Sequence, residues 1–386
     1  MTRGRKRERL LRRLKCFRPH CPDGARQPCW LRGFGGPETG LDIYGFFRAT
    51  TGLGHSARLY LEAAEAASIP ASAVARTLPG RDGDDSVRDR LAPTGRHGDA
   101  LYIDGLVGFG ALTREICRAR RNIALPMWEL EALPEGRVRN LSRFDALWAP
   151  STFIRDSVAA ATGRPVALVP HPLHMPDTAK EGFPETLRIL FFFDFDSFPA
   201  RKNPEAAVRA FQAAFPRAEE VRMTVKTRGA ADAGRRAWLL EQAARDARIE
   251  VVDETLTADA MGRLMRDHDV FLSLHRSEGV GLGCAEALTI GNIVVATDYG
   301  GTRDFVTEET GFPVACVQRP VAPGEYIEAE GAHWADPSVE HAAEQLRRIY
   351  DAPGAARARA LRGREALRRT HSTEAVGAAM RAALDG

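Results

Sequence analysis

Short apolar runs and longer amphipathic ones alternate along this chain from about residue 41 to residue 350. Runs at 42–47, 100–106, 122–126, 166–169, 187–194, 222–226, 249–252, 270–274 and 293–296 are rich in β-branched or aromatic side chains. Their length and weak alternation predict strands buried on both faces, as in parallel sheets. Between them, apolar positions recur at helical spacing. Leu59 and Leu61 share a face with alanines up to Ala67; Phe153, Ile154 and Val158 share another; Val208, Phe211 and Phe215 a third. Segments 235–248, 258–267, 339–350 and 357–384 read as further helices, and one more is expected around 112–119. Ser151 is placed as an N-cap and Pro204 at a first helical position. Residues 77–99 are polar and read as a mobile loop, and 127–134 as a packed loop that buries Trp128.

Strand followed by helix, many times over, predicts an α/β fold of two doubly wound, Rossmann-like domains. The proline-bearing stretch 172–184 is the expected joint. The boundaries are then a basic, flexible extension at 1–40, a first domain at 41–180, a second at 181–365 and a closing helix at 366–386. A chain of 386 residues is long enough for two such domains.

Charge narrows the partners. The 54 basic and 51 acidic residues nearly cancel, which argues against nucleic acid. No apolar run approaches the length that spans a bilayer, so a soluble, cytoplasmic protein is expected. The exception is the first fifteen residues, where eight cations meet only Glu8 while Leu10, Leu11 and Leu14 fall at helical spacing. That stretch suits an anionic membrane surface, at about 1 kcal/mol per basic residue, or a solubilising tail. Cys16, Cys21 and Cys29 have no standard metal-ligand spacing, so no metal is expected there, and all six cysteines read as reduced.

The candidate chemistry centres on residues 277–288. A buried strand at 270–274 runs into a loop carrying Gly279, Gly281 and Gly283, and helical character begins at Cys284. A strand end that hands over to a helix N-terminus is an anion site. Glu278 and Glu286 bracket it. Amides for a phosphate and carboxylates for hydroxyls fit a ligand that has both; the plainer reading is two solvated glutamates around an ordinary turn. A second strand at 293–296 then leads to Tyr299-Gly300-Gly301-Thr302-Arg303-Asp304, a second glycine loop expected to open a helix. Arg201 and Lys202 adjoin one another just after the strand at 187–194, a fork and a point charge suited to a diphosphate. Lys226, at another strand end, is a further phosphate candidate.

Residues 277–304 resemble the retaining glycosyltransferases of family 4, with their Glu-Gly-x-Gly-Leu…Glu-Ala run, a Gly-x-x-Val-Val-Ala segment and a Gly-Gly turn. The resemblance implies the GT-B arrangement, two facing domains with a cleft between them, and a closing helix that returns to the first domain. It implies transfer of a hexose from a nucleotide diphosphate sugar to a glycan or lipid-linked acceptor hydroxyl, with retention and with no metal or other cofactor. Glu278 would then orient the donor sugar and Glu286 the ribose. Gly279, Val280, Gly281 and Leu282 would line the donor site, Asp253 the base, and Arg201 and Lys202 the leaving diphosphate. Family members separate these two cations by a few residues, which this chain does not. Gly52 and Gly54, in a glycine turn after the first strand, would approach the diphosphate from the other domain. His55, Asp104, Glu129 and Glu131 fall on the acceptor side. The setting implied is polysaccharide or glycolipid assembly at the inner membrane face. A phosphorylase or epimerase on the same architecture, or a non-catalytic sugar-nucleotide-binding subunit, are the alternatives.

Overall fold

The computed structural model describes residues 38–112, 116, 121–180, 182–217 and 220–386. The basic stretch, Cys16, Cys21, Cys29 and most of the helix expected around 112–119 lie outside the described residues.

The first sheet contains β1 (Glu38–Gly45), β2 (Ala71–Ala75), β3 (His97–Gly105), β4 (Arg121–Met127), β5 (Ala146–Ala149) and β6 (Ala167–Leu168), in the order β2-β1-β3-β4-β5-β6. The second contains β7 (Leu187–Phe192), β8 (Val221–Thr227), β9 (Ile249–Asp253), β10 (Val270–Ser273), β11 (Ile293–Thr297) and β12 (Phe312–Val314), in the order β12-β11-β10-β7-β8-β9. The pairings within both sheets are parallel. Winding reverses between β1 and β3 in the first sheet and between β7 and β10 in the second. At such a reversal the following helices leave on opposite faces, so a crevice opens at the strands' carboxyl ends.

Side chains alternate across the first sheet. Leu41, Ile43, Leu101 and Ile103 pack on one face with the helix Gly52–Ala66, and Tyr44, Ala100 and Tyr102 on the other. The second apolar cluster does not stop at the domain edge. It takes in Trp128 of the first domain together with Tyr299, Tyr326 and Trp334 of the second, so the two halves share a buried seam.

Several elements differ from the sequence expectation. Gly300–Asp304 is a short 3-10 turn rather than the start of a helix. Gly300 is held at φ +80° against the Glu278 backbone, and the Asp304 carboxylate turns away to accept the Thr152 amide at 2.8 Å. The helix expected over 357–384 is two, Pro353–His371 and Thr373–Asp385. Ser372 between them is extended, and its hydroxyl caps Ala375. An antiparallel hairpin follows β12, with strands β13 (Cys316–Pro320) and β14 (His333–Pro337), where no strands were expected. β1 also starts at Glu38, within the stretch read as an extension.

The chain passes between the halves twice, side by side. The first crossing follows β6; the second is Ser372, where Leu173 donates its amide to the His371 carbonyl at 2.8 Å. Beyond it, Thr373–Asp385 packs on Gly52–Ala66, so closely that a Cβ on Gly377 would lie 2.2 Å from the Ala63 carbonyl. No helix among the described residues is long and apolar enough to cross a membrane.

Candidate active site

The winding reversal of the second sheet puts two loops side by side. The loop after β7 ends in the short helix Pro199–Lys202, and the loop after β10 carries Ser277 to Gly281. Asn203, at φ 56°, stops that short helix in the left-handed region, and Arg276 clasps it through the Ala200 carbonyl at 2.6 Å. Consecutive residues thereby reach one carboxylate. Lys202 Nζ donates to Glu278 Oε1, while Arg201 Nη1 lies 3.1 Å from Glu278 Oε2 and donates to the Ser277 carbonyl at 3.0 Å.

Burial alone would raise the Glu278 pKa, but the charges of Lys202 and Arg201 outweigh it and hold the carboxyl at about 2. Burial likewise works against the Arg201 charge, and Glu278 and Glu129 overcome it, keeping the guanidinium protonated. Arg201 is almost fully buried, whereas Lys202 keeps part of its side chain in solvent. The lysine is thus the member free to change partners.

Across the seam, the loop after β4 brings Glu129 to the same cluster. Its Oε1 lies 4.0 Å from Arg201 Nη2, its other oxygen accepts from the Tyr326 hydroxyl, and its carbonyl accepts from the Ser277 hydroxyl. Tyr326 belongs to the loop of the unexpected hairpin. Burial and the neighbouring carboxylates push its phenol far above the ordinary range, so it remains a donor. Nothing in the sequence singled out Tyr326, an isolated tyrosine in a Gly-, Glu- and Pro-bearing stretch.

The glycines have distinct duties. Gly281, at φ +81°, is the N-cap of the helix Leu282–Thr289, a conformation that favours glycine. Gly279 is a packing residue: a Cβ there would sit 2.3 Å from the Trp128 carbonyl, and its own carbonyl accepts from Ser151. Val280 is buried in the seam, and Leu282 is packed against the same cluster. At the winding reversal of the first sheet, Gly52 opens a helix rather than sitting in a turn and faces open space, while Gly54 is pressed against the Ala49 carbonyl. His55 Nε2 reaches across to Glu286 Oε1 at 3.4 Å, joining the two halves on this side.

The remaining candidates lie apart from the Glu278 cluster. Asp104, at the end of β3, is bound to Arg76. Asp253 pairs with Arg236 at 2.8 Å at the end of β9. Lys226 is buried at the end of β8, and desolvation lowers its pKa, followed by the charge of Arg228. Glu131 stands beside Tyr299. Asp194 and Asp196, the nearest imitation of a metal-binding pair, are occupied. Asp194 holds Arg228 at 2.8 Å, and Asp196 takes the amides of Ala230 and Ala231 and the guanidinium of Arg81 at 2.8 Å. Among the described residues no group of three or more His, Cys, Asp or Glu is arranged to hold a metal ion.

Arg201, Lys202, Glu278 and Tyr326 fall inside residues 187–329, which match the family Glycosyl transferases group 1. Solved structures of several proteins share the architecture. Sucrose-phosphate synthase of Thermosynechococcus elongatus aligns with a TM-score of 0.66 and 15% identity, over 90% of this chain and 98% of its own. HepE of Anabaena, in complex with UDP-glucose, aligns with a TM-score of 0.65 and 12% identity, over 89% of this chain and 99% of its own. TarM of S. aureus aligns with a TM-score of 0.59 and 12% identity over 75% of this chain, which spans 55% of that longer protein. At these identities the likeness establishes the fold, which is GT-B. No curated protein matches the chain by sequence.

Proposed function

We propose that this protein is a retaining glycosyltransferase of family 4. It moves a hexose from a nucleotide diphosphate sugar to an acceptor hydroxyl during polysaccharide or glycolipid assembly, without a metal. The observation that carries this reading is the convergence of Arg201 and Lys202 on Glu278 at the winding reversal of a group 1 glycosyl transferase domain.

Each group has a task the reaction needs. Breaking the bond between sugar and diphosphate leaves negative charge on a phosphate oxygen and positive charge on the sugar carbon. Lys202 exchanges Glu278 for that phosphate, and the buried Arg201 supplies charge that needs no reorganisation, an effect worth several kcal/mol. The amides at the start of Leu282–Thr289 face the same anion. Glu278, held ionised, accepts from a sugar hydroxyl and faces the developing cation. Glu286 takes the ribose, Asp253 the base and Lys226 a phosphate oxygen, with Gly52 approaching from the other half. HepE, whose structure contains UDP-glucose, supports a nucleotide sugar as donor. Glu129 and Glu131 lie on the acceptor side with His55 and Asp104, and residues 1–15 would seat the enzyme on an anionic membrane.

A panel of nucleotide sugars tested for thermal stabilisation identifies the donor, since a ligand at a hundred times its Kd adds about 2.7 kcal/mol to the native state. The reading requires that one of them stabilise the protein, that its hydrolysis or transfer be lost in Glu278→Ala, and that turnover survive EDTA. Stabilisation with full biological function in Glu278→Ala would establish the non-catalytic binding subunit instead.

A further inference from the structure

The seam between the two halves holds a half-open pocket of about 410 Å³, of whose lining the proposed reaction uses only Glu131. Its walls come from both halves, with Glu131, Phe153 and Asp156 on one side and Tyr299, Gly300 and Arg303 on the other. The volume suits a small ligand.

The lining selects among ligand classes. Phe153 and Tyr299 meet edge to face with centroids 5.6 Å apart, so the cavity has an aromatic wall. Tyr299 is only 6% exposed, and its hydroxyl meets no hydrogen-bond partner at bonding distance. Burial first, and then the charge and hydrogen-bonding influence of the Glu131 carboxylate, keep that phenol protonated, so a donor and an acceptor stand side by side on the lining. On the lining, Glu131 and Asp156 against Arg303 disfavour an anion, and a wholly apolar ligand would make no use of Glu131 or of the phenol beside it. A sugar ring satisfies the set, turning C–H faces to the aromatic rings and hydroxyls to the carboxylates.

Gly300 fixes where that ring would lie relative to the reaction. It lines the cavity, and a Cβ on it would sit 2.4 Å from the Glu278 carbonyl, so the cavity is one backbone thickness from the proposed donor site. We propose that this cavity is a second saccharide site, which holds a sugar ring of the acceptor glycan. The assignment of that ring to the acceptor rests on the glycosyltransferase reading; the saccharide site itself does not.

The test uses methyl glucoside, methyl galactoside, methyl mannoside and methyl N-acetylglucosaminide, observed by saturation-transfer NMR on the full chain with and without excess UDP. Ala160 is exposed at the cavity, so Ala160→Trp can fill it without disturbing the core. At least one glycoside should receive saturation from the wild type, keep it when UDP is added, and lose it in Ala160→Trp at an unchanged Tm; Tyr299→Phe should weaken it. No signal on the wild type, displacement by UDP, or a signal that survives Ala160→Trp would overturn the site. Failure of every nucleotide to stabilise the protein would sink the donor reading while leaving a UDP-independent glycoside signal intact. With donor present, mass spectrometry separates the two sources of the ring: a glycosylated glycoside supports the acceptor assignment. A glycoside that alters donor hydrolysis without entering the product overturns that assignment in favour of a free saccharide effector.

Discussion

The two halves are built on the same parallel α/β plan, yet they place their polar groups differently. In the second half, one set of buried charges stands at the carboxyl ends of the strands, where Glu278, Arg201 and Lys202 share one network. In the first half, much of the buried polarity secures the half to itself. Asp42 accepts the amides of Arg96 and His97, Asp104 holds Arg76, and His171 sits between the Ser56 hydroxyl and the Pro172 carbonyl. Charge gathered at strand ends points to chemistry on a ligand, whereas charge spent inside the half points to a scaffold whose loops adapt to a partner.

The largest effect should come from breaking the cluster. Glu278→Ala strands Arg201 in the interior; transfer should fall by roughly 10²–10³-fold, and unfolding free energy by about 3–5 kcal/mol. Kinetics on the identified donor and urea denaturation measure the two. Asp104→Asn should leave turnover far less affected, and an equal loss would erase the contrast between the halves.

Acid should act through the buried histidines, His171 in the first half and His268 and His275 in the second. Burial, and then the charge of His55, hold the His171 pKa at about 3, against 6.5 for a free imidazole. The unfolded chain therefore binds a proton that the folded one refuses, so stability present above pH 6.5 is lost as pH falls towards 3. The cost at pH 4 is on the order of 3 kcal/mol. Glu278, depressed to about 2, adds its own loss only below about pH 4.5. Tm measured from pH 7.5 to 4 should fall more gently in His171→Asn than in the wild type.

A glycine exchange probes the two halves at smaller scale. Gly301→Ala puts a Cβ 2.2 Å from the Gly279 carbonyl, backbone against backbone, and should cost about 2–3 kcal/mol. Gly52→Ala meets nothing within 4 Å and extends a helix, so stability should hold or rise by up to about 1 kcal/mol. A fall in transfer without a fall in Tm would mark Gly52 as a diphosphate contact. The smallest effect is expected of Arg81→Ala, which removes a half-exposed bridge between the halves to Asp196 at 2.8 Å, worth less than about 1 kcal/mol by urea denaturation.

Legibility in the sequence followed the same division. In the second half the backbone itself makes close approaches. Gly281 needs a left-handed φ, and Gly279, Gly300 and Gly301 admit no Cβ, so the restriction to one residue type is written directly into the chain. The first half has close approaches of its own at Gly40 and Gly54, but it also positions itself with side chains such as Asp42 and His97, whose partners lie far away in sequence and leave no local pattern. The hairpin β13–β14 escaped notice because its strands do not alternate cleanly; Val317 is 70% exposed. Tyr326 escaped with it. The break at Ser372 was readable, since a serine followed by an acid in the next turn is a helix start, but the alanine-rich run on either side masked it. The adjacency of Arg201 and Lys202 was a departure from the family pattern, and the left-handed turn at Asn203 shows how neighbours in sequence reach the same carboxylate.

The paired crossings at Leu173 and Ser372 bear on how such a molecule breathes. A single tether lets two bodies twist and wander; two tethers laced together leave them a swing about one line, like a book on its spine. Asp269 reinforces the binding, fully buried and gripped by Lys180 from one crossing at 2.7 Å and by Arg357, from the helix that leads to the other, at 3.4 Å. Away from that spine Glu129 lies 4.0 Å from Arg201 across the seam, so a swing of the two leaves would part a carboxylate from a cation.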